Sequence, residues 1–254
     1  MKRIVLSILA FFLLLINIAT NAATNFIEKD ITSVSKDGFT IKASFTYPKK
    51  NQKEFSTVVL LHSLGYNSEW WGNLKNDLLN KGFAVLAIDL RGHGKSIYNS
   101  KMSKTSWKSL KDSAYAKYPD DIIGVIDKIK EENTKKIFFN NWAIIGSDIG
   151  ASAGVIASDK LKNRPVTIVM LSPIVKSKSL YIPVSIAHLD NVDFLAVYGT
   201  DDTDSREAGK YLKKFAQAAF LEYTSDSKTT GMLMLKNDNS LNKVLTEWVA
   251  NYLN

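Results

Sequence analysis

The side chains in this sequence that could do chemistry sit at four places, each directly after a short apolar run. His62-Ser63-Leu64-Gly65 follows residues 58–61, and Asp89-Leu90-Arg91-Gly92-His93-Gly94-Lys95-Ser96 follows 83–88. Gly146-Ser147-Asp148-Ile149-Gly150 follows 142–145, and Gly199-Thr200-Asp201-Asp202 follows 194–198. The carboxylates could act as nucleophile or as acid partner, a serine as nucleophile once a base removes its proton, and a histidine as that base. Bases are scarce. The histidines are His62, His93 and His188, with none beyond His188, and the absence of cysteine removes thiol nucleophiles and thiolate metal sites.

The runs that must position these residues are β-branched and short: 39–47, 58–61, 83–88, 142–145, 166–171, 194–198 and 220–223. They read as buried strands. Between most of them the apolar residues take helical spacing, as in Trp70/Trp71, Leu74 and Leu78, or Ile122, Ile123, Ile126 and Ile129. The last such segment carries Leu241, Val244/Leu245, Trp248 and Tyr252. Alternating strand and helix predicts an α/β fold with a mostly parallel central sheet covered on both faces. Lys36-Asp37-Gly38 predicts a hairpin turn, so the first strands should be antiparallel. The connection 172–191 is too short for a large cap, so any pocket should be open.

In an open parallel sheet, ligands sit outside the carboxyl ends of the strands, where the four motifs lie. Taken together the motifs resemble the α/β-hydrolase superfamily, most closely its small lidless esterase and serine-peptidase-related members, over nearly the whole chain from Ile31 to Leu253. His62-Ser63-Leu64-Gly65 is similar to the oxyanion loop of that family, with Ser63 in place of glycine. The motif 89–96 is similar to one of its structural turns. Gly146–Gly150 stands where the family has its nucleophile elbow, Gly-x-Ser-x-Gly, a strained strand-to-helix turn that presents its middle residue. That residue here is Asp148, and a shift of register onto Ser147 would need glycines at 145 and 149, which are isoleucines. Asp202 stands at the position of the triad acid, and Thr230, before Gly231, where the triad histidine is expected.

The resemblance therefore implies a hydrolase fold with a degenerate triad: Asp148 and Asp202 as its remnants, Thr230 in the histidine position, and an esterase-like pocket without its serine. Oxyanion donors are expected from the backbone N–H of Ile149 and of Ser63 or Leu64. His62 is expected either to support that loop or to contact Asp148; His93 should be structural and His188 a surface residue. An aspartate at the elbow is also similar to haloalkane dehalogenases and epoxide hydrolases, which form an alkyl ester on it. Those enzymes resemble Asp-Trp-Gly at the turn, carry a cap, and need a histidine to hydrolyse the ester. Two readings follow: a pseudoenzyme that binds a small molecule or partner through the former pocket, and an active hydrolase of ester-like or halogenated molecules with Asp148 as nucleophile. Neither calls for a cofactor or a metal. At the start of a helix, the dipole would hold the Asp148 carboxyl low, whereas desolvation would raise it.

Met1-Lys2-Arg3, the apolar run 4–18 and the small and polar residues 19–25 form a secretory signal pattern. Residues 1–22 are expected to be a signal peptide and 23–254 the hydrolase-like domain, exported to the periplasm or secreted, with the membrane contacted only through an uncleaved leader. The formal charge of +8 falls to +6 once Lys2 and Arg3 are removed. Because the lysines are spread over expected surface helices without an arginine block, a solvated surface is expected and nucleic acid is not.

Overall fold

The computed structural model describes residues 25–49, 54–132 and 137–254. The expected leader lies outside these residues. Eight strands form one sheet: β1 Phe26–Val34, β2 Thr40–Pro48, β3 Phe55–Leu61, β4 Ala84–Asp89, β5 Ile137–Ser147, β6 Thr167–Leu171, β7 Asp193–Tyr198 and β8 Phe220–Thr224. Their spatial order is β1-β2-β4-β3-β5-β6-β7-β8. The β1–β2 and β2–β4 pairs are antiparallel and the other pairs parallel, as the turn at Lys36-Asp37-Gly38 and the strand–helix alternation predict.

Period-two alternation in the strands feeds two cores. Val58 and Leu60 of β3 face one side of the sheet, where Trp71, Leu74 and Leu78 pack with Leu241 and Leu245. Val59 and Leu61 face the other side, with Ile122, Ile126 and Val155. The helices therefore divide between the faces: α1 Gly72–Lys81 and α8 Leu241–Leu253 on one, α3 Tyr118–Glu132 and α4 Ile149–Lys160 on the other. α1 follows a short 3₁₀ turn, Ser68–Trp71, and α2 Asp112–Tyr115 follows another at Trp107–Ser109. Between β6 and β7 the chain makes only a small ribbon, Lys176–Ser177 against Leu180–Tyr181, and the short helix α5 Pro183–His188. No cap domain covers the carboxyl end of the sheet among the described residues. α6 Thr203–Lys213 follows β7, and α7 Met232–Asn237 precedes α8.

Candidate functional site

The chain turns from β5 into α4 through Asp148, whose φ of 52° and ψ of −119° form a strained conformation for a residue with a Cβ. Its neighbours explain why the turn needs glycine on both sides. A Cβ on Gly146 would lie 2.5 Å from the Ala151 Cα, and one on Gly150 would press into the Leu61 carbonyl oxygen and lie 2.5 Å from that of His62. The turn thus presents Asp148 into a cleft of about 450 Å³, while Ser147 points into the interior. There the Ser147 and Ser63 hydroxyls share a hydrogen bond of 2.7 Å.

Ser63, Leu64, Asp148, Asp202 and Thr230 meet at this cleft, with Tyr66 and Met232 on its wall. The Leu64 N–H donates to Asp148 Oδ2 at 3.4 Å, and the Ile149 N–H also donates to this carboxylate. The two expected oxyanion donors thus face the aspartate's own side chain. Desolvation nevertheless pushes the Asp148 carboxyl above its ordinary value, outweighing the Leu64 and Ile149 donors that pull it down.

His62 does not join the cleft, which corrects the expectation of a pocket residue that could contact Asp148. Its ring is fully buried. Nε2 accepts from the Leu90 N–H at 2.9 Å, so Nδ1 carries the proton and donates to the Ser63 carbonyl at 2.8 Å. Both nitrogens of the neutral ring are occupied in linking the β3 loop to the β4 turn. Burial, with the neighbouring His93, lowers its pKa to about 4. His93 accepts from the Gly65 N–H at 3.0 Å and stacks on Trp107, and His188 sits on the surface 3.2 Å from Asp159.

The acid corner holds a residue that the sequence motifs do not single out. Ser172 directly follows β6 with φ at 50°, and its hydroxyl donates to Asp202 Oδ2 at 2.6 Å while accepting from the Gly231 N–H at 2.7 Å. Asp202 Oδ1 accepts from the Ser205 N–H at 3.3 Å and caps α6. The acid therefore binds a serine and a helix end where the family pattern would have it bind a histidine. The rule that selects residues after strand ends also selects Ser172, but only the fold brings it beside Gly231.

A larger groove of about 810 Å³ lies between β1 and α3. Arg91 is paired twice in it, Nη1 bonding Asp37 at 2.6 Å and Nη2 bonding Asp121 at 2.7 Å. These pairs tie the front hairpin to α3, so the groove is a structural seam and the cleft at Asp148 is the candidate site.

The fold is similar to that of several solved hydrolases. A dienelactone hydrolase from Anabaena variabilis matches with a TM-score of 0.68 at 14% identity, over 91% of this chain and 100% of that one. A cold-adapted esterase from an Arctic intertidal metagenomic library gives 0.68 at 14%, over 94% and 99%. An esterase from Exiguobacterium antarcticum gives 0.62 at 14%, over 87% and 100%. No curated protein matches the sequence. Residues 52–208, more than half of the chain and including the oxyanion loop, the elbow and Asp202, match the family described as serine aminopeptidase, S33, and the chain belongs to that α/β-hydrolase family.

Proposed function

We propose that this protein is an exported pseudoenzyme of the α/β-hydrolase fold, which binds a small molecule or a partner in the cleft at Asp148 without cleaving it. The observation that carries this reading is the occupation of the catalytic parts by each other. The Asp148 carboxylate faces the oxyanion donors, and the acid of the triad corner is bonded to Ser172. No histidine reaches the cleft among the described residues, so the family's base is missing both for activating a serine and for hydrolysing an ester on Asp148. Losing one triad member already removes most of the turnover, and losing a second removes little more.

An Asp148 nucleophile needs a water-activating base, and His62 has both nitrogens engaged. This supports the binding reading over the hydrolase one. The test uses the exported protein, whose N-terminus is expected near Ala22 or Ala23. Short p-nitrophenyl esters should be hydrolysed at the buffer rate, and a fluorophosphonate should leave the chain unlabelled. Turnover well above buffer, or stoichiometric label on Ser147, would overturn the reading. A stable alkyl adduct on Asp148 after exposure to a haloalkane would show a nucleophile stalled after its first step, whereas turnover of the haloalkane would establish the hydrolase.

A further inference from the structure

Charge is unevenly distributed over the two segments that cover the carboxyl end of the sheet beside the cleft. Between Leu90 and Pro119 the chain has seven cationic residues and one acid, Asp112, and between Ser172 and Leu189 it has Lys176 and Lys178 and no acid. Arg91 and Lys117 pair with Asp37. Lys101, Lys104, Lys108, Lys111, Lys176 and Lys178 are exposed, and none forms an ion pair among the described residues. Lysines that look dispersed along the sequence are collected by the fold, because the two segments touch. The Ser179 hydroxyl donates to the Asp112 carbonyl at 2.6 Å, and Lys178 lies over the Tyr115 ring.

The same two segments expose apolar side chains. A tight turn, closed by the bridge between Tyr98 and Lys104, is held by Asn99 Oδ1, which accepts from the Lys101 and Ser103 N–H groups at 3.0 Å each. Met102 lies within that turn with φ at 56° and is 73% exposed. On the neighbouring segment Tyr181 is 47% and Val184 54% exposed. The face is anchored, since Trp107 stacks on His93 and the Tyr115 hydroxyl donates to the Trp107 carbonyl at 2.9 Å.

We propose that this face docks on the surface of an anionic phospholipid bilayer, with the lysines at the headgroup phosphates and Met102, Tyr181 and Val184 entering the interface. The proposal goes beyond the binding reading of the cleft and stands whether or not the cleft has a ligand. Two observations favour a bilayer over a nucleic acid. The unpaired cations are all lysine, with none of the planar forks that grip phosphates in pairs. Exposed apolar groups lie on the same segments, Met102 between Lys101 and Lys104 and Tyr181 and Val184 after Lys178, where a polyanion in water would gain nothing from contact but a bilayer interface would.

The test is co-sedimentation of the exported protein with vesicles of phosphatidylcholine alone and of phosphatidylcholine mixed with phosphatidylglycerol. All variants share one N-terminus, so differences between them report on this face alone. The parent should bind the phosphatidylglycerol vesicles, release as salt is raised, and stay in solution with phosphatidylcholine. Each lysine near the surface contributes roughly fivefold to partitioning, so K101Q/K104Q/K108Q/K111Q should weaken binding by more than about a hundredfold. M102S/Y181S/V184S should weaken it several-fold while leaving the salt dependence as it was. These residues are exposed, so melting temperatures should match the parent; should a variant be misfolded, the salt release and lipid selectivity of the parent still decide. Equal binding to both vesicles, or none to either, would overturn the proposal. So would binding to heparin as tight as to vesicles with the apolar triple variant unaffected, which would mark a polyanion surface.

Discussion

Across the cleft, the elbow and the acid corner depart from the hydrolase pattern in opposite ways. The elbow keeps the backbone and loses the side chain: the strained φ, the two crowded glycines and the facing N–H donors are all present around an aspartate. The corner keeps the side chain and changes its partner: Asp202 remains, but its bond goes to Ser172 and through it to the Gly231 N–H. The backbone of the elbow is fixed by packing against β3, so it persists whatever residue sits at its tip. Hydrogen-bonding capacity at the corner has to be satisfied, so a buried carboxylate without its histidine binds another donor.

The elbow glycines carry the largest expected effect. Gly150→Ala places a methyl group against the Leu61 and His62 carbonyl oxygens, which belong to the end of β3 and its loop and have no flexible side chain to yield. The expected loss is at or above ~3 kcal/mol, the upper part of the range for overpacking. Urea unfolding measures it. A loss below about 1 kcal/mol would mean that the turn has slack and that its geometry is not imposed by packing.

A smaller effect is expected at the corner. Ser172→Ala leaves the Gly231 N–H unpaired and removes a donor from Asp202, at an expected loss of about 1–3 kcal/mol. Ser172→Gly loses the same hydroxyl but relieves the positive φ, so it should be less damaging than alanine by roughly 1 kcal/mol. Equal losses in the two variants would show that the backbone at 172 is not strained and that the hydroxyl alone accounts for the effect.

The architecture was legible in the sequence wherever burial was high. β3, β4, β6 and β7 are apolar runs buried on both faces and stand out by composition. β1 does not, because an edge strand with Glu28, Lys29 and Asp30 exposed buries only Ile31 and Ser33. Its presence was implied only by the turn that follows it. β5 begins earlier than its apolar run 142–145, and its pairing with β3 shifts register between Ser56 and Thr57, an irregularity that spacing does not reveal. In the site, glycine spacing places Asp148 because the turn is a local object. The bond of Ser172 to Asp202 spans 30 residues and that to Gly231 spans 59, and no local pattern encodes either. His62 shows the same limit: its motif puts it beside the oxyanion loop, but the direction of its ring is set by the Leu90 N–H, 28 residues away.

The two carboxyls of the cleft are held differently. The Asp202 carboxyl is held by a serine hydroxyl and a helix N–H. Asp148 has the Leu64 and Ile149 N–H groups, yet desolvation outweighs them and its carboxyl is raised. For a raised carboxyl the folded state binds its proton more tightly than the unfolded state, so the stabilisation is fully present below the unfolded value of about 3.9 and is lost as pH rises through the folded value. Asp148→Asn removes the titration while keeping the shape. It should therefore raise the melting temperature at pH 7, by less than Ser172→Ala lowers it, and the gain should shrink to nothing near pH 3, where the aspartate is itself neutral. A melting temperature lowered at pH 7 and unchanged near pH 3 would mean that the donors and the α4 dipole win, and that the charge is a helix cap. The expected result places a carboxylate at the elbow at the expense of stability, in the part of the cleft where the oxyanion donors converge. On the proposed binding reading, that cost is offset by what the carboxylate binds.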